Sequence, residues 1–234
     1  LLINNYSVDG VDIKSGVDIN SLTDKVLSKY DVVINLAGST SVWNEDAENV
    51  IWNNINGWVH VYNICKSLNI KYIYTSSSCS VNITSVYGLS KRFADEYFRL
   101  YPYNNAVGIR LHNVYGGDGR EDTLFGKCMN NNSVILYNNG LNKRYFTYID
   151  DVCNAIEKAI YLDGGRIYNV YCPIEKTVLE FTNEVKKYKD IDIQLVSDKR
   201  EKDKEIQIID TTLENIIGDY TTIEEGIKNS ILAI

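Results

Sequence analysis

Short apolar runs rich in β-branched and aromatic residues alternate with longer amphipathic stretches through the first two-thirds of the chain. This alternation constrains the fold more than any other feature. Strand, helix and strand in succession close most readily as a parallel sheet covered by helices on both faces. The pattern predicts strands at Asp31–Ala37, Ile70–Thr75, Ala106–Leu111 and Ile167–Val170, and helices at Glu45–Asn69, Ser85–Tyr101 and Ile149–Leu162. Within Glu45–Asn69, residues Ala47, Ile51, Ile55, Trp58, Tyr62 and Cys65 recur at helical spacing. In Ile149–Leu162, Val152, Ile156 and Ile160 share one side.

After Asn113 the regularity breaks. Gly116–Asn142 holds glycines and an Asn run, Asn130–Asn132, around a short apolar strand at Val134–Tyr137. Thr177–Tyr188 and Ile223–Ile231 read as helices, and the charge run Lys199–Lys204 as a solvated loop. The expected architecture is α/β: a Rossmann-type doubly wound parallel sheet with a smaller, discontinuous C-terminal lobe. Residues 1–112 plus about 147–172 form the core in this reading, and 113–146 plus 173–234 the lobe.

The chemistry concentrates between Lys71 and Lys91. The run ending at Thr75 leads into three serines, Ser76–Ser78; Tyr87 follows nine residues after Ser78, and Lys91 four after that. Four residues is about one helical turn, so Tyr87 and Lys91 share a face. A phenol beside an ammonium has its ionised form favoured, and a hydroxyl at the strand end could bind the same substrate oxygen. The set suits proton transfer in alcohol–ketone chemistry. Tyr62 and Lys66 repeat the spacing in a chain of 18 tyrosines, but inside an amphipathic helix, where Tyr62 reads as core and Lys66 as a solvated end.

Composition excludes several classes. A formal net charge of −7 argues against non-specific nucleic-acid binding, and no apolar run approaches a membrane span. The five cysteines are scattered, without a C-x-x-C pair, and read as reduced thiols of a cytoplasmic protein. With only His60 and His112 as histidines, no metal site is expected.

Several ordered motifs point further. DVVINLAG (Asp31–Gly38), NNING (Asn53–Gly57), Ser78 with Tyr87-x-x-x-Lys91, GIRLHNVYG (Gly108–Gly116) and KRYFTYIDDV (Lys143–Val152) span nearly the whole chain. Together they resemble the extended short-chain dehydrogenase/reductases, in particular the nucleotide-sugar epimerase/dehydratase group. The resemblance implies NAD as cofactor and a nucleotide-diphosphate sugar as substrate. It implies catalysis by Tyr87 as general acid/base, with Lys91 lowering its pKa and holding the nicotinamide ribose, and Ser78 orienting the sugar hydroxyl. Leu36, Ala37 and Gly38 would line the pyrophosphate and ribose, Asp18 and Ile19 would flank the adenine, and Asn54 and Ser76 belong to the same cofactor side. Asn113, Arg120, Tyr137, Arg144 and Arg200 would contact the sugar nucleotide, the arginines as phosphate clamps.

The group's glycine-rich fingerprint does not occur in the sequence. Leu1–Asn5 reads as the end of a helix and Tyr6–Asp12 as the next strand, so a strand, the glycine turn and most of a helix are expected to be lost ahead of Leu1. Asp12, closing that strand, could bind the adenosine ribose hydroxyls and favour NAD over NADP, although Lys14 stands nearby; the alternative is a turn aspartate.

Where the group's 4,6-dehydratases carry an Asp–Glu pair, this chain has Cys79 and Ser80, which argues against that reaction. A nucleotide-sugar 4-epimerase is expected, acting through a transient 4-keto sugar. The short segment from Ser78 to Tyr87 keeps a 4-keto-deoxysugar reductase as alternative, and the absent fingerprint keeps a non-catalytic nucleotide-sugar-binding protein. Helices Glu45–Asn69 and Ser85–Tyr101 resemble the pair that forms a four-helix homodimer seam, with Trp52, Trp58, Tyr97 and Phe98 as its apolar face or, equally, as core.

Overall fold

The computed structural model describes residues 5–40, 46–117, 119–200 and 204–232. The chain divides into two compact units, Leu1–Leu111 with Cys153–Asn169 and Asp210–Ile216, and His112–Val152 with Val170–Ile209 and Ile217–Ile234.

The first unit is built on a four-stranded sheet of order β1-β2-β3-β8, from β1 (Val32–Asn35), β2 (Lys71–Ser77), β3 (Ala106–Leu111) and β8 (Arg166–Val170). β2 runs parallel to both neighbours, with Ile34 opposite Ile73 and Ile73 opposite Val107. Every residue of β2 is buried, as expected of a central parallel strand covered on both faces. After the short helix α1 (Asp24–Leu27) and β1, the predicted helix Glu45–Asn69 forms in three pieces, α2 (Ala47–Val50), a π-helical turn (Ile51–Asn56) and α3 (Gly57–Leu68); Glu45 lies outside the described residues. The wider π turn re-aims side chains midway along a helix, and here it carries the buried Asn54. Asn69 ends α3 in the left-handed conformation (φ 55°), which asparagine tolerates.

α4 (Val86–Leu100) begins where Ser85 accepts a hydrogen bond from the Gly88 amide (3.1 Å) and stops just before Pro102. The core between α3, α4 and the sheet is aromatic. Trp58 stacks on Tyr62 at 4.8 Å between centroids and meets Tyr74 edge-on at 5.1 Å, arrangements the ring quadrupoles favour. Trp58 and Phe98 are therefore core residues, whereas Trp52 is exposed. Tyr62 is buried, with its hydroxyl donated to the Tyr101 carbonyl (2.5 Å), and Lys66 donates to the Pro102 carbonyl.

One expectation fails. Tyr6–Asp12 is not a strand: residues 7–12 have no regular structure and are exposed, Val8 and Val11 included. A strand exists only through a ladder with a neighbour, and no strand pairs with this segment among the described residues. Of the predicted helix end Leu1–Asn5, residues 1–4 lie outside the described residues.

The second unit packs helices α5 (Leu124–Asn130), α7 (Val178–Lys186) and α8 (Ile223–Leu232) with short paired strands. β5 (Ser133–Leu136) pairs in parallel with β10 (Asp192–Leu195), β4 (Val114–Tyr115) with β7 (Thr147–Tyr148), and β6 (Lys143–Tyr145) antiparallel with β9 (Glu175–Thr177). Phe146 stacks on Phe181 (4.1 Å) within a core that includes Tyr115, Phe125, Leu136 and Ile227. α7 opens on a Thr177–Glu180 capping box, in which each side chain accepts from the other residue's amide. Helix α6 (Ile149–Tyr161) begins in this unit and continues into the first.

The division differs from the expected one at His112 and residues 170–172, which fall in the second unit, and in two longer segments. Residues 147–152 belong to the second unit, and Asp210–Ile216 returns to the first. That return is fixed by Arg110, whose Nη1 donates to Asp210 (2.9 Å), and by Asn169, whose amide donates to the Asp210 and Leu213 carbonyls. Of the charge run Lys199–Lys204, residues 201–203 lie outside the described residues. Among the described residues no helix is long and apolar enough to cross a membrane.

Candidate active site

β2 does not stop at Thr75 but runs to Ser77, whose hydroxyl accepts from the Cys79 amide (3.2 Å) and caps a 3-10 turn, Ser78–Ser80. Ser78, at the head of that turn, is half-buried. The first turn of α4 lies directly on it: a Cβ added to Gly88 would stand 2.7 Å from the Cys79 carbonyl oxygen. Only a residue without a side chain permits this approach, and it sets Tyr87 and Ser78, each adjacent to one of the touching residues, on facing segments. Gly88→Ala should therefore push α4 off the turn and cost about 1–3 kcal/mol in urea unfolding. An unchanged midpoint would show that the turn yields freely.

Lys91 is buried and donates from Nζ to the Thr75 carbonyl (2.9 Å), with Nζ 5.9 Å from the Tyr87 ring centroid. Burial pushes its ammonium down to about 8, while the negative charge of Asp95 opposes that fall. Tyr87 is half-buried at the start of α4. The rival pair is disposed of electrostatically, because burial pushes the Tyr62 phenol up to about 12. Tyr72 and Tyr74 are raised well above the usual phenol value for the same reason.

In the segment expected to line the cofactor, Asn35 at the end of β1 donates to the Tyr72 hydroxyl (2.8 Å) and accepts from the Ala37 amide (3.0 Å). That anchors the turn Leu36–Gly38, in which Leu36 and Ala37 are exposed. Asn54 fastens the next residue, accepting from the Ser39 amide (2.7 Å) and donating to the Ser39 carbonyl (2.9 Å). Its amide also donates to Ser90 Oγ (3.0 Å), and Ser90 donates to the Tyr87 carbonyl (2.7 Å). The post-β1 loop, the π turn and the start of α4 are thus one hydrogen-bonded assembly. Asp12 and Asp18 act locally: each carboxylate caps a short 3-10 turn, accepting from the amides of Lys14 and Asn20 respectively (both 2.8 Å). For Asp12 this is the turn-aspartate arrangement. The Asn20 amide holds the Asp18 carboxyl below the usual carboxylate range. Ile19 packs against the helix at Gly57.

Apart from Ser78, the residues assigned to the sugar nucleotide lie in the second unit. Tyr137 and Arg200 come together, with the guanidinium 4.7 Å from the ring centroid. The amides of Asn138 and Asn139 bond the carbonyls of Asp198 and Val196, which holds the two segments side by side. Asn113 has φ 31° and donates to Gln207 Oε1 (2.5 Å), which also accepts from the Tyr145 amide. Arg144 is half-buried and donates to the Lys143 carbonyl. Arg120 is exposed and pairs with Asp122, a surface ion pair of little energetic weight.

Three groups escaped the sequence reading. Asp95 is wholly buried and accepts from Ser76 (2.9 Å), Ser80 (3.1 Å) and Arg110 (2.8 Å). Its position four residues after Lys91 was a usable signal, as was a lone arginine in the apolar run Ala106–Leu111. Gln207 carried none, since it reaches Asn113 from 94 residues away.

The profile of the NAD dependent epimerase/dehydratase family matches residues 10–170. The protein CapI of Staphylococcus aureus is 28% identical over 182 residues, covering 67% of this chain and 54% of CapI. The chain thus spans about half the length of that relative. CDP-abequose synthase of Yersinia pseudotuberculosis is 26% identical over 250 residues, covering 98% of this chain and 87% of the synthase. Among solved structures, the UDP-N-acetylglucosamine 4-epimerase of Methanobrevibacter ruminantium superposes with a TM-score of 0.79 at 22% identity, over 93% of this chain and 82% of the epimerase. That likeness shows the fold.

Proposed function

The chain belongs to the NAD-dependent epimerase/dehydratase family, and on that premise we propose that it is a nucleotide-sugar 4-epimerase working through a transient 4-keto sugar. One observation carries the reading: the Tyr87 helix start, the buried Lys91 and the Ser78 turn are locked together at the end of β2.

The residues present fit the ribose side of a dinucleotide. Lys91 has used one of its three donors on Thr75, and Leu36 and Ala37 stand exposed at the end of β1. NAD, when bound, accepts the C4 hydride and returns it. Tyr87 removes the C4 hydroxyl proton as the carbonyl forms and gives a proton back to the oxygen when the hydride returns to the opposite face. Lys91, cationic and close to the phenol, favours the phenolate, and Ser78 holds the reacting oxygen. Tyr137, Arg144 and Arg200 serve the base and diphosphate of the sugar nucleotide, with Asn113 held ready by Gln207. Ser80, buried and committed to Asp95, supports a reaction without elimination of water.

The test is a panel of nucleotide-diphosphate sugars incubated with the full-length protein, with products read by NMR. A 4-epimer should form without added reductant and without net NADH. Stoichiometric consumption of NAD(P)H with a 4-keto sugar would replace this reading with a reductase, to which the short Ser78–Tyr87 segment also points. No turnover, and no NAD retained by the purified protein, would favour a binding protein.

A further inference from the structure

We propose that Asp95 is a positioning residue for the Ser78, Tyr87 and Lys91 group, clamping both ends of the turn that carries Ser78 and providing the anion beside Lys91. The inference rests on the proposed roles of those three residues but not on their turnover.

The geometry is specific. Ser76 and Ser80 bracket Ser78, and both donate to the same oxygen, Asp95 Oδ2, at 2.9 and 3.1 Å. The strand end and the far end of the 3-10 turn are therefore tied to one atom on α4, two turns of helix beyond Tyr87. Together with the Gly88–Cys79 contact, this fixes the turn to the helix at two points. Arg110 Nη2 reaches the same carboxylate oxygen at 2.8 Å, and the Tyr74 hydroxyl lies 3.4 Å from the other oxygen. A carboxylate removed from water persists as an ion only with such partners.

The charges also alternate. Asp210 faces the other arm of Arg110, and Lys91 faces Asp95 from one turn earlier on α4. Two anions and two cations balance within the first unit. Among the described residues, Tyr87 and Asp95 face Lys91 from its own helix, while Tyr74 on β2 and Arg110 on β3 meet Asp95, and Asp210 lies beyond Arg110. Burial pushes the lysine toward the neutral form, so Asp95 is the group that keeps it cationic near neutral pH.

The experiment follows the Lys91 side chain by NMR through a pH titration of the full chain, without nucleotide or sugar. The wild-type midpoint is expected near 8. Asp95→Asn keeps the shape and removes the charge, so the midpoint should fall far enough to raise the neutral-to-charged ratio of Lys91 about tenfold at a fixed pH. The Ser76→Ala/Ser80→Ala double variant keeps every charge. In it the Lys91 midpoint should hold, while amide exchange quickens about tenfold at Cys79 and Val81, whose N–H groups bond Ser77 Oγ and the Ser78 carbonyl. Should Asp95→Asn not fold, the double variant decides. An unmoved Lys91 midpoint in the first variant, or unchanged exchange in the second, overturns the proposal. Failure of the wild type to turn over any sugar nucleotide would remove the proposed function and leave these readouts standing.

Discussion

Tyr87→Phe is expected to lower turnover by about 10²–10⁴-fold, the range that a positioned general acid/base supplies, while KM for the sugar nucleotide changes little. The substitution removes one oxygen from a half-buried ring whose helix is already anchored by the Ser85 cap, the Ser90 bond to the Tyr87 carbonyl and the Lys91 bond to Thr75. The backbone therefore has no reason to move. In the proposed site the other sugar-nucleotide contacts come from other residues, so a loss confined to kcat would mark an interaction made only in the transition state. Steady-state kinetics with the substrate found in the panel would measure it. A variant as active as the wild type would remove Tyr87 from the chemistry. A raised KM with unchanged kcat would make it a binding residue.

Arg110→Met should produce the largest loss of stability. Arg110 is 1% exposed and holds Asp95, itself wholly buried, on one arm and Asp210 on the other. Methionine fills comparable volume but leaves the Asp95 carboxylate with hydroxyl donors and Lys91 alone. Removing one member of a buried ion pair costs about 3–5 kcal/mol. Asp210 is partly exposed, so water can replace its lost contact and most of the penalty falls on Asp95. Arg110 Nε finds no acceptor among the described residues, so no third bond is lost. Denaturant unfolding would give the value. Combining the change with Asp95→Asn should cost less than the sum of the single changes, because the stranded charge is then absent. Strict additivity would mean that the two residues do not sense each other.

Much of this arrangement could be read from residue order alone. Strand Ala106–Leu111 forms as predicted, and α4 differs by one residue at each end from the expected Ser85–Tyr101. A six-residue strand buried along all but its last residue and a Ser-capped amphipathic helix are decided by local pattern and capping chemistry. The Tyr-x-x-x-Lys spacing likewise carried its own geometry, since helical periodicity alone puts the two side chains on one face. Tyr62–Lys66 shows the limit of that logic. It has the same spacing, and what sets it aside is its place in an amphipathic stretch, which read Tyr62 as core, and the burial that agrees with that reading.

Other features depend on partners distant in sequence. Tyr6–Asp12 has the composition of a strand, but composition cannot supply the neighbouring backbone that a ladder requires. Asp210 joins the first unit because a buried arginine 100 residues earlier has a second guanidinium arm to pair beyond the one on Asp95, and Asn113 is held by a glutamine that no local pattern singles out. Sequence by itself determined the alternation of elements, the family and the Tyr87–Lys91 pair, because periodicity and capping act over one or two helical turns. Tertiary structure alone decided that Ser76, Ser80 and Arg110 converge on one carboxylate oxygen of Asp95. Burial makes such a group bind whatever donors the fold brings to it, however far apart they lie along the chain.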